Sequence, residues 1–422
     1  MDEAKLRAWW FHRQGLDGSL ETKSPADVLE RAGWARSVAG SGPYLIFFSR
    51  AGVSRESVDA AVADQAIHEL PSARACTYVL PASDFALGLR VAQEFSGGEL
   101  VLSCKLGVTE AEIKKLCAAI LDALGNGPLS PDEIRDATGK ASRNLGPEGA
   151  QKGLTTTLPV ALGKLQVEGK IRRVPINGRL DQQRYRYALW KPSPLNKFTL
   201  FAAESFTELA RRYFRWIGPA AVAEFQWFSA LGVKAAKAAV EPLELVPVEP
   251  GSERLMFADD RDQFAQFKSP TKPIYALVSC MDSMFLLRRG LSELQTPQAA
   301  KAKAYDEKGV VELSGLSDLC SNAILERGTI VGLWEYDPEA GSIVWMTFGT
   351  SDKPLREAVD RTEAYIREQL GDARSFSAWT APRAAFRVSR CFVRHKSASD
   401  AAVSRRYHKL RLRDSNRGIV PL

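Results

Sequence analysis

Histidine is scarce in this chain and cysteine is unpaired. Four histidines stand far apart, at His12, His68, His395 and His408, among 422 residues. The six cysteines, Cys76, Cys104, Cys117, Cys280, Cys320 and Cys391, include no C-x-x-C pair. Such scatter argues against a structural zinc site and against a disulfide framework, and predicts reduced, buried thiols in a cytoplasmic protein. No metal ion and no cofactor is expected. No apolar run approaches the length of a membrane span, and the acidic opening Met1-Asp2-Glu3 lacks the apolar core of a signal peptide. The chain also lacks a G-x-G-x-x-G after a strand, a P-loop and a G-x-S-x-G elbow, while Gly125-Asn126-Gly127 reads as a turn. Nucleotide-dependent and hydrolase-elbow chemistries therefore find no support. Excess charge is modest: 57 Lys and Arg against 50 Asp and Glu leave +7, a mild bias toward polyanions.

What is present is an ordinary globular composition, 45% hydrophobic and 25% charged. The length suits roughly two to four domains. Residues 127–190 organise the reading. Ser130 caps a helix between Pro128 and Pro131, with Asp132 and Glu133 in its first turn, and Gly139 ends it. A polar loop with Lys140, Arg143 and Lys152 leads to a second helix carrying Leu158, Leu162 and Leu165 on one face. Ile171 and Val174 begin a strand, Asn177-Gly178 signals a hairpin turn, and Tyr185 and Tyr187 lie on the return strand. Helix, turn, helix and basic ribbon together are the plan of a winged helix. Arg172, Arg173, Arg179, Arg184 and Arg186 crowd the ribbon, suited to phosphates or a minor groove. The alternative is an edge hairpin kept soluble by charge.

Weaker copies flank this module. Residues 1–105 hold an amphipathic helix with Trp9, Trp10 and Phe11, a Ser24-capped helix, a buried segment after Pro43, a Ser54-capped helix, and strands at 67–70 and 75–80. Thr109 and Glu112 have capping-box spacing and open the central module, 106–192. After a Pro-containing linker, residues 193–268 repeat helices and a short wing, with Trp216, Trp227 and Phe228 read as core. Residues 269–386 change to strands, at 275–278, 285–287, 310–313, 329–336 and 342–348, followed by a helix at 355–370. The expected fold class is α+β: tandem winged-helix domains followed by a C-terminal β-barrel-like domain. A basic tail, 387–422, reads as a solvated terminus or a DNA-touching arm.

Four stretches carry a resemblance over nearly the whole chain. They are Gly42-Pro43-Tyr44-Leu45 with Ser49-Arg50; Gly218-Pro219-Ala220 running to Trp227-Phe228-Ser229; Ser279-Cys280-Met281-Asp282 with Arg288-Arg289; and Gly328-Thr329-Ile330-Val331-Gly332-Leu333-Trp334. In that order they resemble the AlkZ/YcaQ-like family of winged-helix DNA glycosylases. The resemblance implies hydrolysis of the N-glycosidic bond of alkylated or crosslinked purines. It also implies a Gln-x-Gln or Gln-x-Asp pair that holds the attacking water shortly before the Pro43 segment. Here the pair falls on Arg36 and Val38, with Ser37 between, and neither of the two can hold or deprotonate a water as Gln or Asp does. No glutamine or carboxylate occurs between Arg31 and Arg50.

Asp282 is the surviving catalytic candidate; its alternative is a turn aspartate paired with Arg288 or Arg289. Arg36 would reach a phosphate or plug the lesion site. The expected DNA-binding set is Arg36, Tyr44, Arg50, Arg143, Lys152, Arg172, Arg173, Arg179, Arg184, Arg186, Arg288 and Arg289. The expected partner is double-stranded DNA, bound by a monomer in the cytoplasm at the nucleoid, with no membrane contact. The alternative function is a non-catalytic DNA-binding protein on the same scaffold, a lesion sensor or a transcriptional regulator.

Overall fold

The computed structural model describes residues 2–37, 40–182, 184–288, 290–306 and 309–371. Helix α1 (Glu3–Arg13) precedes the first unit. That unit runs α2 (Pro25–Ala32), β1 (Ala35–Arg36), α3 (Gly42–Ala51), α4 (Arg55–Ala63), β2 (Ile67–Pro71) and β3 (Thr77–Pro81). Helices α5 (Phe85–Gln93) and α6 (Gly97–Lys105) connect to the second unit. This one runs α7 (Glu110–Ala123), α8 (Pro131–Thr138), α9 (Gly146–Gln151), α10 (Leu158–Val167), β4 (Ile171–Pro175) and β5 (Tyr185–Leu189). The third runs α11 (Ala202–Ile217), β6 (Ala220–Ala221), α12 (Val222–Ser229), α13 (Val233–Val240), β7 (Val246–Pro247) and β8 (Arg254–Met256).

One pairing rule recurs in all three. The short segment after the first helix pairs with the last strand of the hairpin: Ala35 opposite Val79, Leu129 opposite Tyr187, and Ala220 opposite Leu255. Local chemistry sets the starts. Ser24, Thr109 and Ser130 each form a capping box with the residue three positions on, Asp27, Glu112 and Glu133. Each box satisfies amide donors that the first turn of a helix leaves open.

The remainder comprises α14 (Ala258–Gln266), β9 (Tyr275–Val278), α15 (Ser283–Leu286), α16 (Pro297–Ala300), β10 (Lys303–Asp306), β11 (Gly309–Glu312), β12 (Asn322–Glu326), β13 (Thr329–Asp337), β14 (Ser342–Thr347) and α17 (Lys353–Gln369). The β-barrel expectation is corrected here. Among the described residues the larger sheet is an open antiparallel one, ordered β14-β13-β12-β9, and β10–β11 is a separate hairpin. Closure is unnecessary because helices cover both faces. Leu355, Val359 and Ile366 of α17 share a core with Leu277, Ile324 and Trp334. Leu6, Trp9 and Trp10 of α1 share another with Val278, Leu325 and Leu333. At the β12–β13 turn Gly328 has φ +84, and a Cβ there would lie 2.1 Å from the carbonyl oxygen of Arg7. Only glycine admits α1 so closely.

Three further expectations change. Residues 285–287 are not a strand: Asp282 accepts from the Met284 amide at 2.8 Å and caps α15 instead. Asn177 and Gly178 are both left-handed, with φ 65 and 72, yet they do not close a two-residue hairpin. The last rung is Pro175 opposite Tyr185, and the intervening chain folds back on the first unit. Within the expected polar loop after Gly139, α9 forms a short helix. The tail 387–422 lies outside the described residues.

Candidate nucleic-acid interface

The slot where the resemblance expects water-holding residues lies at the end of β1. Arg36 stands opposite Tyr78, and the Ser37 amide donates to the Thr77 carbonyl at 3.0 Å. Val38 lies outside the described residues. Arg36 is half-buried; Nη1 donates to the Thr77 carbonyl at 3.2 Å and its guanidinium lies 5.3 Å from the centre of the Tyr78 ring. Ser37 is buried. The loop then enters α3, where a Cβ added to Gly42 would sit 3.7 Å from Ser279 Oγ. Among its described residues the slot offers a guanidinium and hydroxyls, with no carboxylate and no glutamine.

Behind it lies a closed polar knot. Arg50 donates from Nη1 to Asp282 Oδ2 and from Nη2 to Asp282 Oδ1, both at 2.7 Å, and both side chains have no solvent exposure. Gln14 Oε1 accepts from Arg50 Nη2 at 3.1 Å, while Gln14 Nε2 donates to the Trp216 carbonyl at 3.0 Å. Asp282 is therefore partnered by Arg50 rather than by Arg288. Oδ1 accepts from Arg50 and the Met284 amide and Oδ2 from Arg50, with no solvent exposure. Arg288 is also buried, 3.4 Å from the centre of the Trp10 ring with Nη1 3.7 Å from Glu293 Oε2, and burial pulls its pKa down. Arg289 lies outside the described residues.

The four stretches of the resemblance meet around α1 and this knot. Trp9 and Trp10 donate to the Gly218 and Pro219 carbonyls at 2.8 and 3.1 Å, Arg50 holds Asp282, and Gly328 abuts Arg7.

The arginines of the second unit's ribbon divide between buried, half-buried and exposed positions. Arg173 Nη1 meets Glu69 Oε1 at 3.1 Å, and the Tyr185 hydroxyl donates to Glu69 Oε2 at 2.7 Å. Arg179 pairs with Asp181 in a buried contact. Leu180 packs, 1% exposed, into the first unit's core, its amide donating to the Tyr44 hydroxyl at 3.0 Å. Tyr44 in turn donates to Asp59 at 2.5 Å, and burial raises its pKa above the usual tyrosine range. Arg172 is half-buried beside His68, whose ring is pushed down to about 3 by burial, with Arg172 and Arg173 adding to the effect. Burial likewise raises the Glu69 pKa, against the pull of Arg173. Arg184 is exposed, and Arg186 is exposed with Nη2 3.8 Å from Glu133. Arg143 pairs with Glu112 at 3.0 Å and Lys152 with Glu148 at 2.8 Å. Of the described members of the expected DNA-binding set, Tyr44 and Arg50 lie in α3, Arg173 and Arg179 are ion-paired in half-buried and buried contacts, Arg143 and Lys152 are ion-paired at the surface, and Arg184 and Arg186 are exposed.

The last helix of each unit differs in what it presents. Helix α4 carries Glu56 and Asp59 and is overlain by residues 176–178. Helix α10 is largely buried, while α13 exposes Val233, Lys234 and Lys237. Sequence reasoning missed three groups. Arg74 and Trp227, 4.1 Å apart as cation and ring, were hidden because they come from different units. Glu335, in β13, is wholly enclosed, and burial pushes it up to about 8; a lone Glu between Trp334 and Tyr336 was the available signal.

No helix among the described residues is long and apolar enough to cross a membrane. No curated protein sequence matches the chain. Among solved structures, the Streptomyces sahachiroi DNA glycosylase AlkZ shares the fold with a TM-score of 0.65, at 18% identity, over 89% of this chain and 98% of that one. The sequence model of the AlkZ-like DNA glycosylases matches residues 36–376. That span runs from the end of β1 past α17, more than half of the chain, and the chain belongs to the AlkZ-like DNA glycosylase family.

Proposed function

We propose that the protein is a DNA repair glycosylase that binds duplex DNA and releases alkylated or crosslinked purines. What supports this is the family match over residues 36–376 together with the recurring pairing, in all three units, of the segment after the first helix with the last hairpin strand. We read the three units as winged helices, with the boundaries expected from the sequence, acting as a monomer on chromosomal DNA in the cytoplasm. A purine alkylated at N7 is already cationic, so it departs without a strong acid. The protein's task is then to position a water at the sugar carbon and to shield the oxocarbenium-like transition state. In this reading Ser37 is the side chain nearest that task, and Arg36 holds the adjoining phosphate. Arg50 and Asp282 act as a positioning pair, fixing α3 against the Ser279 turn.

A second reading, binding without base release, is favoured by one specific feature. The slot lacks Gln and Asp, and the nearest candidate carboxylate is sealed against Arg50. Incubation with duplex carrying N7-methylguanine, followed by alkaline cleavage, separates the two. Strand breaks above the protein-free rate support the glycosylase. Binding without breaks replaces it with the binder, and absence of binding removes both.

A further inference from the structure

The turn joining β2 to β3 carries a conformation that needs explaining. Arg74 and Ala75 have φ of 58 and 53, and they are the only two adjacent non-glycine residues with positive φ among the described residues. L residues avoid this region sterically, and such outliers persist where the surroundings dictate them. The Ser72 amide donates to the Cys76 carbonyl at 2.8 Å and the Cys76 amide to the Ala73 carbonyl at 3.0 Å, locking the turn. The outcome is an exposed Arg74 laid on Trp227 of α12, 4.1 Å from the ring centre. Arg36 lies on Tyr78, whose ring meets that of Phe228, the neighbour of Trp227, at 6.3 Å. Arg36 thus rests on a ring of the first unit and Arg74 on a ring of the third, and Tyr78 and Phe228 join the two units between them. Neither arginine has a carboxylate partner among the described residues, unlike Arg50, Arg143, Arg173 and Arg179. A guanidinium resting over a ring keeps its charge, and the N–H groups it does not use, for Arg36 those besides the Nη1 bond to Thr77, can pair with phosphate.

We propose that Arg74 and Arg36 form a clamp for the DNA phosphodiester backbone, beside the slot at residues 36–37. This rests on the glycosylase reading above. The strained turn aims Arg74, and Trp227 holds it there. The clamp grips sugar-phosphate and is blind to the base.

The test is fluorescence anisotropy on the full-length protein over a salt series. The probes are one undamaged duplex and the same duplex with a single N7-methylguanine. Arg74→Ala is expected to weaken binding equally on both and to lower the slope of log K against log salt by about 0.9, one phosphate contact. Arg36→Ala with Arg74→Ala should lower it by about 1.8. Arg74→Lys should keep the slope, since the charge remains. Ala75→Gly relieves the left-handed strain, so it should raise the melting midpoint while weakening binding. A structural turn alone would gain stability with binding unchanged, and that result overturns the clamp. So does a wild-type slope in Arg74→Ala. If the wild-type protein binds neither duplex, the glycosylase reading itself has failed.

Discussion

Substituting Asp282→Asn isolates the role of the carboxylate once named as catalytic. The change keeps the size of the side chain and removes its charge, leaving Arg50 with no solvent exposure and no counterion. Removing one partner of a fully buried ion pair costs about 3–5 kcal/mol, chiefly because the other charge stays desolvated. Replacing both members should behave differently. Arg50→Met with Asp282→Leu removes the stranded charge as well as the pair, and such swaps are often near neutral. Here the α15 cap is also lost, since Met284 donates to Asp282, which costs about 1 kcal/mol. Urea unfolding followed by tryptophan fluorescence should therefore rank wild type first, the double variant slightly below, and Asp282→Asn well below both. Base release should follow the same order. If Asp282→Asn unfolds at the wild-type urea midpoint yet has lost base release, the carboxylate belongs to the chemistry and the positioning role is refuted.

Glu335 gives a pH signature. Burial pushes its folded pKa up to about 8 from the ordinary 4.5, so between those values the folded state holds a proton that the unfolded chain has lost. Its contribution is full below about 4.5 and fades as pH rises through about 8. Glu335→Gln should flatten that decline and melt higher than wild type at about pH 9, read by thermal scans across pH. His68 works in the opposite sense. Held at about 3, it favours folding above its ordinary 6.5 and withdraws that support as pH falls, so His68→Phe should soften the acid limb of the same scans. Leu180→Ala empties a buried site under Tyr44 and should cost about 2–5 kcal/mol in urea unfolding; a change near zero would mean the ribbon's connection does not dock in solution. On the ribbon itself, Arg172→Ala should lower the salt slope of DNA binding by about 0.9. Arg173→Ala should leave the slope alone and cost about 1–3 kcal/mol by stranding the buried Glu69. Equal slope losses from both would show that Arg173 leaves Glu69 for phosphate.

Local signals were legible in the sequence, and long-range partners were not. Ser24, Thr109 and Ser130 announced their helices because a capping box lies within four residues. The strands of the β2–β3 and β4–β5 hairpins were readable from their apolar pattern, while the Asn177-Gly178 turn signal did not close the second. Barrel closure was not, because strand periodicity says which face is buried and nothing about whether the end strands meet. Here α1 and α17 bury both faces. The short apolar run 285–287 fits strand or helix equally, and the Asp282 cap decided for helix. Asp282 stood out in its stretch, but its partner Arg50 lies 232 residues away.

The same distance problem bears on how far a count of arginines can locate a DNA surface. In a chain that packs several small units against one another, each seam desolvates polar backbone and needs donors that reach far. Arginine, with five N–H groups and a long stem, serves that need as well as it serves a phosphate. Arg13 meets Asp260, Arg173 meets Glu69 and Arg212 meets Asp84, each joining segments remote in sequence. A cation spent in this way carries little net field outward. The informative cations are those laid on an aromatic ring with no acid beside them, Arg36 and Arg74, and those on a helix face left open, Lys234 and Lys237. All four belong to the first and third units, whereas the ribbon densest in arginine belongs to the second. Charge that survives folding, rather than charge in the sequence, is what a duplex would meet.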